Sequence, residues 1–592
     1  MSNVISQRVD ALRDAMRRKG VHACIIPSSD PHCGEYVPAH WQSREWISGF
    51  NGSAGTAVVT LSHAALWTDS RYFIAAAEQL AGTPFTLMKD GLADTPTIPQ
   101  WLASVLSPCA TVAADGWVWD CATLHSLKEE LKQVGLVMRT DLDFIADLWT
   151  DRPSLPLNPV EIQPLEYAGE SAAAKLARLR AEMQSANADT MLLCALDDIA
   201  WICNIRSTDV HCTPVAVSYL VITADAATLF IDRRKLSPEI VQALAAEGIA
   251  TEPYEYVRCS GKRVMLSSAT CNYSLAMGIF HSGAKIIDDN PVASMKAVKN
   301  EAEIEGFRRA MRRDGVAMVR FLRWLENAMR NPGEPVTELT VDERLTAERA
   351  AQPGFRSLSF DTIAAYGPHG AIVHYEATPA SASVLRPHGL LLLDSGAQYQ
   401  DGTTDITRTI PLGPLTPQEC LDYTLVLKGH IALAILRFPR GISGTRIDAF
   451  ARQALWQHGL DYGHGTGHGV GSFLSVHEGP HQIRHSWKPV GLQPGMTVTN
   501  EPGLYREGAH GVRIENTMLV VPDIETPFGS FCRLEALTLC PIDREPILAD
   551  LLTDTEIAYL DSYHSRVWSE LSPILDEADK EWLCHATRPM KS

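Results

Sequence analysis

An α/β (α+β) chain of several domains is predicted from three features of the sequence. Two segments of the first half repeat one order of helix, apolar strand, Trp, strand and Asp-Arg. A proline-dense stretch separates them. After Asn290-Pro291 a long amphipathic helix opens a region of hairpin-like strands that carries most of the suggestive His, Asp and Glu residues. At 592 residues the chain also exceeds one ordinary domain of about 100–200 residues.

The opening MSNVISQRVDALRDAMRRKG puts Val4, Val9, Leu12 and Met16 on one helical face among charged residues, without the unbroken apolar stretch of a secretory leader. Secretion is not expected. The first copy continues through the strand ACIIP, Trp46-Ile47, a strand around TAVVT and WTDSRYF. The second runs from Leu179-Arg180 through MLLCAL, Trp201-Ile202 and SYLVI to LFIDRR, ending at Arg234. This register, with one insertion before the first Trp, predicts a duplicated α/β domain. Pro153, Pro156, Pro159 and Pro164 lie too close together for a helix or a central strand and mark a linker. KAVKNEAEIEGFRRAMRRDGVAMVRFLRWLENAM has helical apolar spacing throughout, and the last stretch of the chain reads as a helical tail. The expected divisions are 1–155, 156–295, 296–530 and 531–592.

Composition narrows the function. With 45% hydrophobic and 21% charged residues, Gly 40 and Pro 35, the chain is neither collagenous nor disordered. A net charge of −18 repels phosphate backbones and anionic lipid, so neither nucleic acid nor membrane is an expected partner. No run approaches the ~20 apolar residues of a membrane span. Thirteen cysteines without a CxxC pair fit reduced thiols and a cytoplasmic setting.

The chemistry gathers in three motifs. In LLLLDSGAQYQDGTTDITRTI an apolar strand delivers Asp394, and a second strand begins at Asp405 beyond a Gly-containing turn. Paired buried carboxylates repel unless a cation compensates them, and hard divalent metals prefer oxygen ligands. Taken alone, the pattern equally fits Asp394 capping the turn and Asp405 as a solvated strand residue. In DYGHGTGHGVGSFLSVHEGPH alternate glycines suit close backbone approach, and His464, His468 and His477 project from the stretch. His477 to His481 spells HExxH, but Gly479-Pro480 stands where a zincin helix must continue, so that zinc motif is rejected. In MTVTNEPGLYREGAHGVRIENTMLVV, Glu501 ends an apolar strand and Glu515 lies within another, where Arg513 could satisfy it as an ion pair. Four carboxylates from these motifs would balance two divalent cations, and a neutral imidazole adds a ligand without charge. Ions about 3.5–4 Å apart share and acidify a water, which points to metal-assisted hydrolysis.

The ordered set Asp394, Asp405, His468, Glu501 and Glu515 resembles the dinuclear signature of the pita-bread metallopeptidases, which include methionine aminopeptidase, prolidase and aminopeptidase P. Further stretches such as GFNGSAGTA, ALWTDSRYF, ALDDIAWICNIRSTDV, GAIVHYEAT and NEPGLYREGAHGVRIEN look like landmarks of the long, three-domain cytosolic Xaa-Pro aminopeptidases. The resemblance implies two creatinase-like N-terminal domains followed by a pita-bread catalytic domain. It implies Asp405 and Glu515 as bridging ligands, Asp394 as chelator of one ion, and His468 with Glu501 as ligands of the other. Glu501 would also act as general base. His374 and His477 resemble substrate-contacting histidines, His464 a wall of a proline pocket, and Arg71, Arg513 and Tyr505 substrate-side residues. The sequence departs from the family pattern after Tyr375, where Glu376 could alter preference for the leading residue. Manganese is the implied metal, with Zn2+ or Co2+ also compatible with the ligand types. The implied activity is release of the first residue from peptides with proline second, by a homodimer. A prolidase reading is disfavoured by the duplicated first half, and an inactive peptide-binding relative by retention of all five ligands.

Overall fold

The computed structural model describes residues 2–331 and 333–590. They divide into a first unit, running to residue 164 and then over 170–292, and a second over 165–169 and from 293 onward.

In the first unit, β1 (Ala23–Pro27), β2 (Thr56–Thr60), β3 (Ala64–Thr68), β4 (Phe85–Lys89), β5 (Thr111–Ala113) and β6 (Val137–Arg139) form a sheet ordered β4-β3-β2-β1-β5-β6. β1/β2 and β2/β3 pair antiparallel, whereas β3/β4, β1/β5 and β5/β6 are parallel. The linker follows without regular structure over 153–160, until β7 (Glu161–Ile162) pairs with β9 (Ile205–Arg206). A second sheet holds β8 (Thr190–Leu193), β10 (Ser218–Thr223), β11 (Ala227–Ile231), β12 (Ile249–Glu252), β13 (Arg263–Leu266) and β14 (Lys285–Asp288), ordered β12-β11-β10-β8-β13-β14. Its senses repeat those of the first, with β8/β10 and β10/β11 antiparallel and β11/β12, β8/β13 and β13/β14 parallel. The expected duplication therefore holds strand for strand.

The recurring side chains have a mechanical reason. Arg13 Nε donates to the Thr60 carbonyl at 3.0 Å, and Arg180 Nε to the Thr223 carbonyl at 2.9 Å, so each arginine ties its helix to the end of the same hairpin strand. Just past β3, Arg71 clamps Asp69 through two N–H···O bonds, and past β11 Arg234 clamps Asp232 in the same way. The opening helix Ser2–Lys19 buries Val9, Leu12 and Met16, but Val4 is 46% exposed and Ile5, at 3%, takes its place. The spacing Ile5, Val9, Leu12, Met16 keeps one helical stripe, and Val4 falls about 100° off it.

The helix expected to open the second unit is broken into Pro291–Ala297 and Glu301–Arg330. Asn300 accepts from the Glu303 N–H while the Glu303 carboxylate takes the Asn300 N–H, a capping box that restarts the helix. β15 (Phe355–Leu358), β18 (Ala397–Tyr399) and β19 (Gly402–Thr403) make one small sheet, and β16 (Ile363–Tyr366), β17 (Leu390–Ser395) and β20 (Ile406–Pro411) another. A third is ordered β21 (Arg437–Pro439), β28 (Gly529–Ala536), β27 (Asn516–Thr526), β24 (Thr497–Asn500). β22 (Gly467–Gly469) pairs with β23 (Glu478–Ile483), and β25 (Gly503–Arg506) with β26 (His510–Arg513). Val498, Met518 and Val520 of the third sheet share an apolar core with Leu425, Val426 and Ile431 of the helix Pro417–Ala434. Leu560, Val567 and Leu571 of the tail helix Asp554–Leu571 complete that core. No helix among the described residues is long and apolar enough to cross a membrane, and the thirteen cysteines are free thiols.

Candidate metal centre

The leucines of β17 carry Asp394 into the interior, where it stands opposite Thr407 of β20. Asp405 immediately precedes β20, so antiparallel pairing brings the two aspartates together, although their connection folds through β18 and β19 and is not one turn. Glu501 follows β24, where Pro502 and Gly503 end the strand. Glu515 lies outside the strand expected for it. The chain there leaves β26, paired with β25, for β27, paired with β24, and the Glu515 N–H turns to the Thr407 carbonyl at 3.1 Å. β22 approaches β24 so closely that a Cβ on Gly467 would lie 2.0 Å from the Thr499 carbonyl oxygen, which reserves the position for glycine and aims neighbouring His468 inward.

Ligand atoms of Asp394, Asp405 and Glu515 lie within 4.8 Å of one another, as do those of His468, Glu501 and Glu515, and those of Asp405, His468 and His477. Arg513 Nη2 donates to Asp394 Oδ2 at 2.7 Å, and Thr407 Oγ1 to Glu515 Oε2 at 2.7 Å. The other oxygens, Asp394 Oδ1 and Glu515 Oε1, are buried without a partner, a costly state in the absence of a cation. His468 Nδ1 donates to the Gly469 carbonyl at 2.8 Å, leaving Nε2 facing Asp405 at 3.4 Å and Glu501 at 3.3 Å. That tautomer and aim suit a metal-ligating imidazole, and the donor set fits two hard divalent cations.

The electrostatics carry the same signature. Burial, opposed by Arg513 and reinforced by Asp405 and Glu501, lifts Asp394 up to about 6. Burial and the charges of Asp405, Glu501 and Asp394 push Glu515 well above the carboxylate range. Burial disfavours a charged His468 and an ionised Glu501, yet the carboxylates of Asp405 and Glu501 raise His468 well above its ordinary value, and His468 holds Glu501 down to about 2. Protons thus stand in for positive charge that the cluster needs.

Arg513 is 1% exposed and its guanidinium is taken up by protein groups. Besides Asp394 it donates to the Tyr505 hydroxyl at 2.7 Å, Thr407 Oγ1 at 3.2 Å and the Val373 carbonyl at 3.4 Å. His464 Nδ1 donates to the Gly465 carbonyl, so its Nε2 accepts from the Tyr505 hydroxyl at 2.7 Å. One hydrogen-bonded chain therefore runs His464, Tyr505, Arg513, Asp394. Burial keeps His464 neutral, down to about 4, and lifts Tyr505 to about 12. Half-buried His374 follows the Val373 carbonyl beside this chain. The His477 ring meets His468 edge-on, centroids 4.4 Å apart. Arg71 belongs to the first unit, where it holds Asp69 and lies 3.7 Å from Glu35.

The HExxH string begins at His477, just before β23, and its other four residues lie in that strand, so no helix carries it, and His481 is fully buried with Nε2 on the Thr497 carbonyl at 2.7 Å. Sequence reasoning passed over Thr407 and Thr499, whose hydroxyls hold Glu515 and Glu501. The alternate threonines of ITRTIP and TVTN were the available signal, because buried hydroxyls need partners.

Family descriptions match in four places: "Creatinase/Prolidase N-terminal domain" at 8–142 and again at 151–303, "Metallopeptidase family M24" at 305–522, and "C-terminal region of peptidase_M24" at 530–590. The chain is 39% identical to Aminopeptidase P2 of Arabidopsis thaliana, over 99% of this chain and 89% of that protein. It is also 39% identical to Xaa-Pro aminopeptidase 1 of Dictyostelium discoideum, over 99% and 97% respectively. The crystal structure of X-prolyl aminopeptidase from Caenorhabditis elegans, described as a cytosolic enzyme with a di-nuclear active site, matches with TM-score 0.95 at 34% identity, covering 99% of this chain and 100% of that one. A doubled creatinase-type sheet, a buried cluster of carboxylates around one oriented imidazole and similarity along the whole chain converge, and the chain belongs to the Xaa-Pro aminopeptidase (aminopeptidase P) family within metallopeptidase family M24.

Proposed function

We propose that this protein is a metallo-aminopeptidase that hydrolyses the bond between an N-terminal residue and a following proline. The observation that carries the reading is the pair of buried, unpartnered oxygens on Asp394 and Glu515, each opposite an oxygen already held by the protein. Asp394, Asp405 and Glu515 would hold one cation, and His468 and Glu501 with the shared Asp405 and Glu515 the other. The overlapping clusters that share Glu515 support this division. Two divalent cations bound there would supply Lewis acidity at neutral pH. The oxygen-rich set favours Mn2+, and Zn2+ or Co2+ would also be accepted.

The remaining steps belong to the chain. Glu501, clustered with His468 and Glu515, takes the proton of the attacking water. His477, against His468, and His374, beside the Arg513 chain, steady the developing oxyanion and return a proton to the leaving nitrogen. An Xaa-Pro bond is a tertiary amide whose nitrogen has no hydrogen to donate, so the site offers apolar contact and a proton. Neutral His464, fixed by Tyr505, provides one such wall.

Steady-state kcat/KM on Arg-Pro-Pro, Arg-Ala-Pro and Arg-Pro tests the reading. Each methylene in a fitted pocket is worth roughly 1–3 kcal/mol, so Arg-Pro-Pro should exceed Arg-Ala-Pro by about several tens-fold or more. The dipeptide should be a poor substrate, since its free carboxylate approaches the acidic cluster. Preference for the dipeptide would make the protein a prolidase, and indifference to proline would sink the assignment. We further infer a cytoplasmic homodimer. Free thiols and the cytosolic relative support the location, and sedimentation velocity tests the dimer.

A further inference from the structure

Beneath Glu501 and Glu515 lies a layer of buried polar side chains that the steps above do not use. Arg408 is 2% exposed and directs its donors wholly into the protein. Nε reaches the Pro541 carbonyl at 2.9 Å, and Nη1 the carbonyls of Thr407 at 2.9 Å and Glu515 at 2.6 Å. Nη2 meets Asn516 Oδ1 and the Cys540 carbonyl, both at 2.8 Å, and the Tyr563 hydroxyl at 3.0 Å. Tyr563, on the tail helix Asp554–Leu571, turns its own O–H to the Cys540 carbonyl at 2.9 Å. Asn516 is shared, its Nδ2 lying 3.5 Å from His430 Nε2, and His430 Nδ1 lies 3.1 Å from the Asn500 carbonyl. Asn500 and Asn516 stand opposite each other in the β24/β27 register, one residue before Glu501 and one after Glu515.

Glu515 sits between strands, so no ladder of its own fixes its main chain. One guanidinium grips the carbonyls of both Thr407 and Glu515, and Thr407 is the residue whose hydroxyl holds the Glu515 carboxylate. A rigid planar fork of this kind sets the spacing between β20 and the Glu515 segment, provided the fork itself is held. Tyr563 and the carbonyls of Cys540 and Pro541 hold it from the far side.

We propose that Tyr563 is a positioning residue for the metal centre: acting through Arg408, it sets the placement of Glu515. This inference rests on the proposed function of the cluster. Tyr563→Phe retains the ring and removes only the hydroxyl. Metal-free protein would be titrated calorimetrically with MnCl2, kcat and KM measured on Arg-Pro-Pro at saturating metal, and thermal midpoints recorded. Loss of a partner behind a ligand typically costs 10–100-fold in metal affinity or activity, so the Mn2+ Kd should weaken about tenfold and kcat should fall, with KM within about twofold of wild type.

Val567→Ala, a cavity in the same helix at a fully buried position, serves as the destabilised control and should leave Kd and kcat unchanged while lowering the thermal midpoint. Arg408→Lys reads the relay from its other end, and should weaken Mn2+ binding in the same direction. Combined with Tyr563→Phe it should cost less than the product of the single losses, because both act through one guanidinium. Wild-type Kd and kcat in Tyr563→Phe, or an equal Kd shift in Val567→Ala, would overturn the inference. Wild-type protein that neither binds Mn2+ nor cleaves Xaa-Pro bonds would instead remove the function on which it rests, and the inference with it.

Discussion

Asp405→Asn should abolish peptide hydrolysis and leave fewer than two metal ions bound per chain. Asp405 is buried beside Asp394, Glu515 and His468, and in the proposed site it would help to hold both cations. The amide keeps the side chain's size but withdraws one charge and one anionic ligand, so both cations lose neutralisation and spacing. Loss of a partner behind a ligand already costs about 10–100-fold, and loss of a bridging ligand should exceed that. The metal-free protein should respond far less. Asp405 raises the proton affinity of Asp394 and Glu515 but also holds a charged His468, so its neutralisation trades relieved repulsion against a lost ion pair and should move the metal-free thermal midpoint little. Elemental analysis, kcat/KM and thermal midpoints on the same preparation separate these effects. Near wild-type turnover with full metal content would show that the site is wrongly assigned.

His477→Ala should lower kcat by about 10²–10⁴, the usual yield of a positioned proton donor, while metal content stays near wild type. Its ring lies close enough to Asp405 and His468 for coordination to be a geometric alternative, which makes the metal measurement the decisive one. His481→Ala supplies the contrast. His481 is buried neutral, pushed down to about 4 by its burial, and its work is to satisfy the Thr497 carbonyl. Its loss should cost about 1–3 kcal/mol of stability and leave kcat of the folded enzyme little changed. Equal metal loss in both variants would restore the paired-histidine motif that the strand geometry argues against.

The duplicated half was legible because its signals are local. Arg13 and Arg180, and the pairs Asp69-Arg71 and Asp232-Arg234, recur in the same order as their strands, and each makes the same bond in both copies. The opening helix was legible except at Val4, where choosing between adjacent apolar residues depends on which one meets the core. The break at Asn300 was foreshadowed by Asn and Glu three residues apart, but helical apolar spacing on both sides of it masked the cap.

In the metal centre the residue types that can bind hard cations, and their placement at strand ends, follow from chemistry readable one segment at a time, since a buried acid at an apolar strand end demands a partner. Which partner each acid finds depends on residues far away in the chain. Arg513 reaches Asp394 across 119 positions, Thr407 reaches Glu515 across 108, and Arg408 reaches Tyr563 across 155. Such contacts leave no periodicity in the chain, because strand pairing between remote segments brings them about. Folding alone therefore settled that Arg513 is occupied by protein groups, that Glu515 lies between strands, and which carboxylate oxygens remain for a cation.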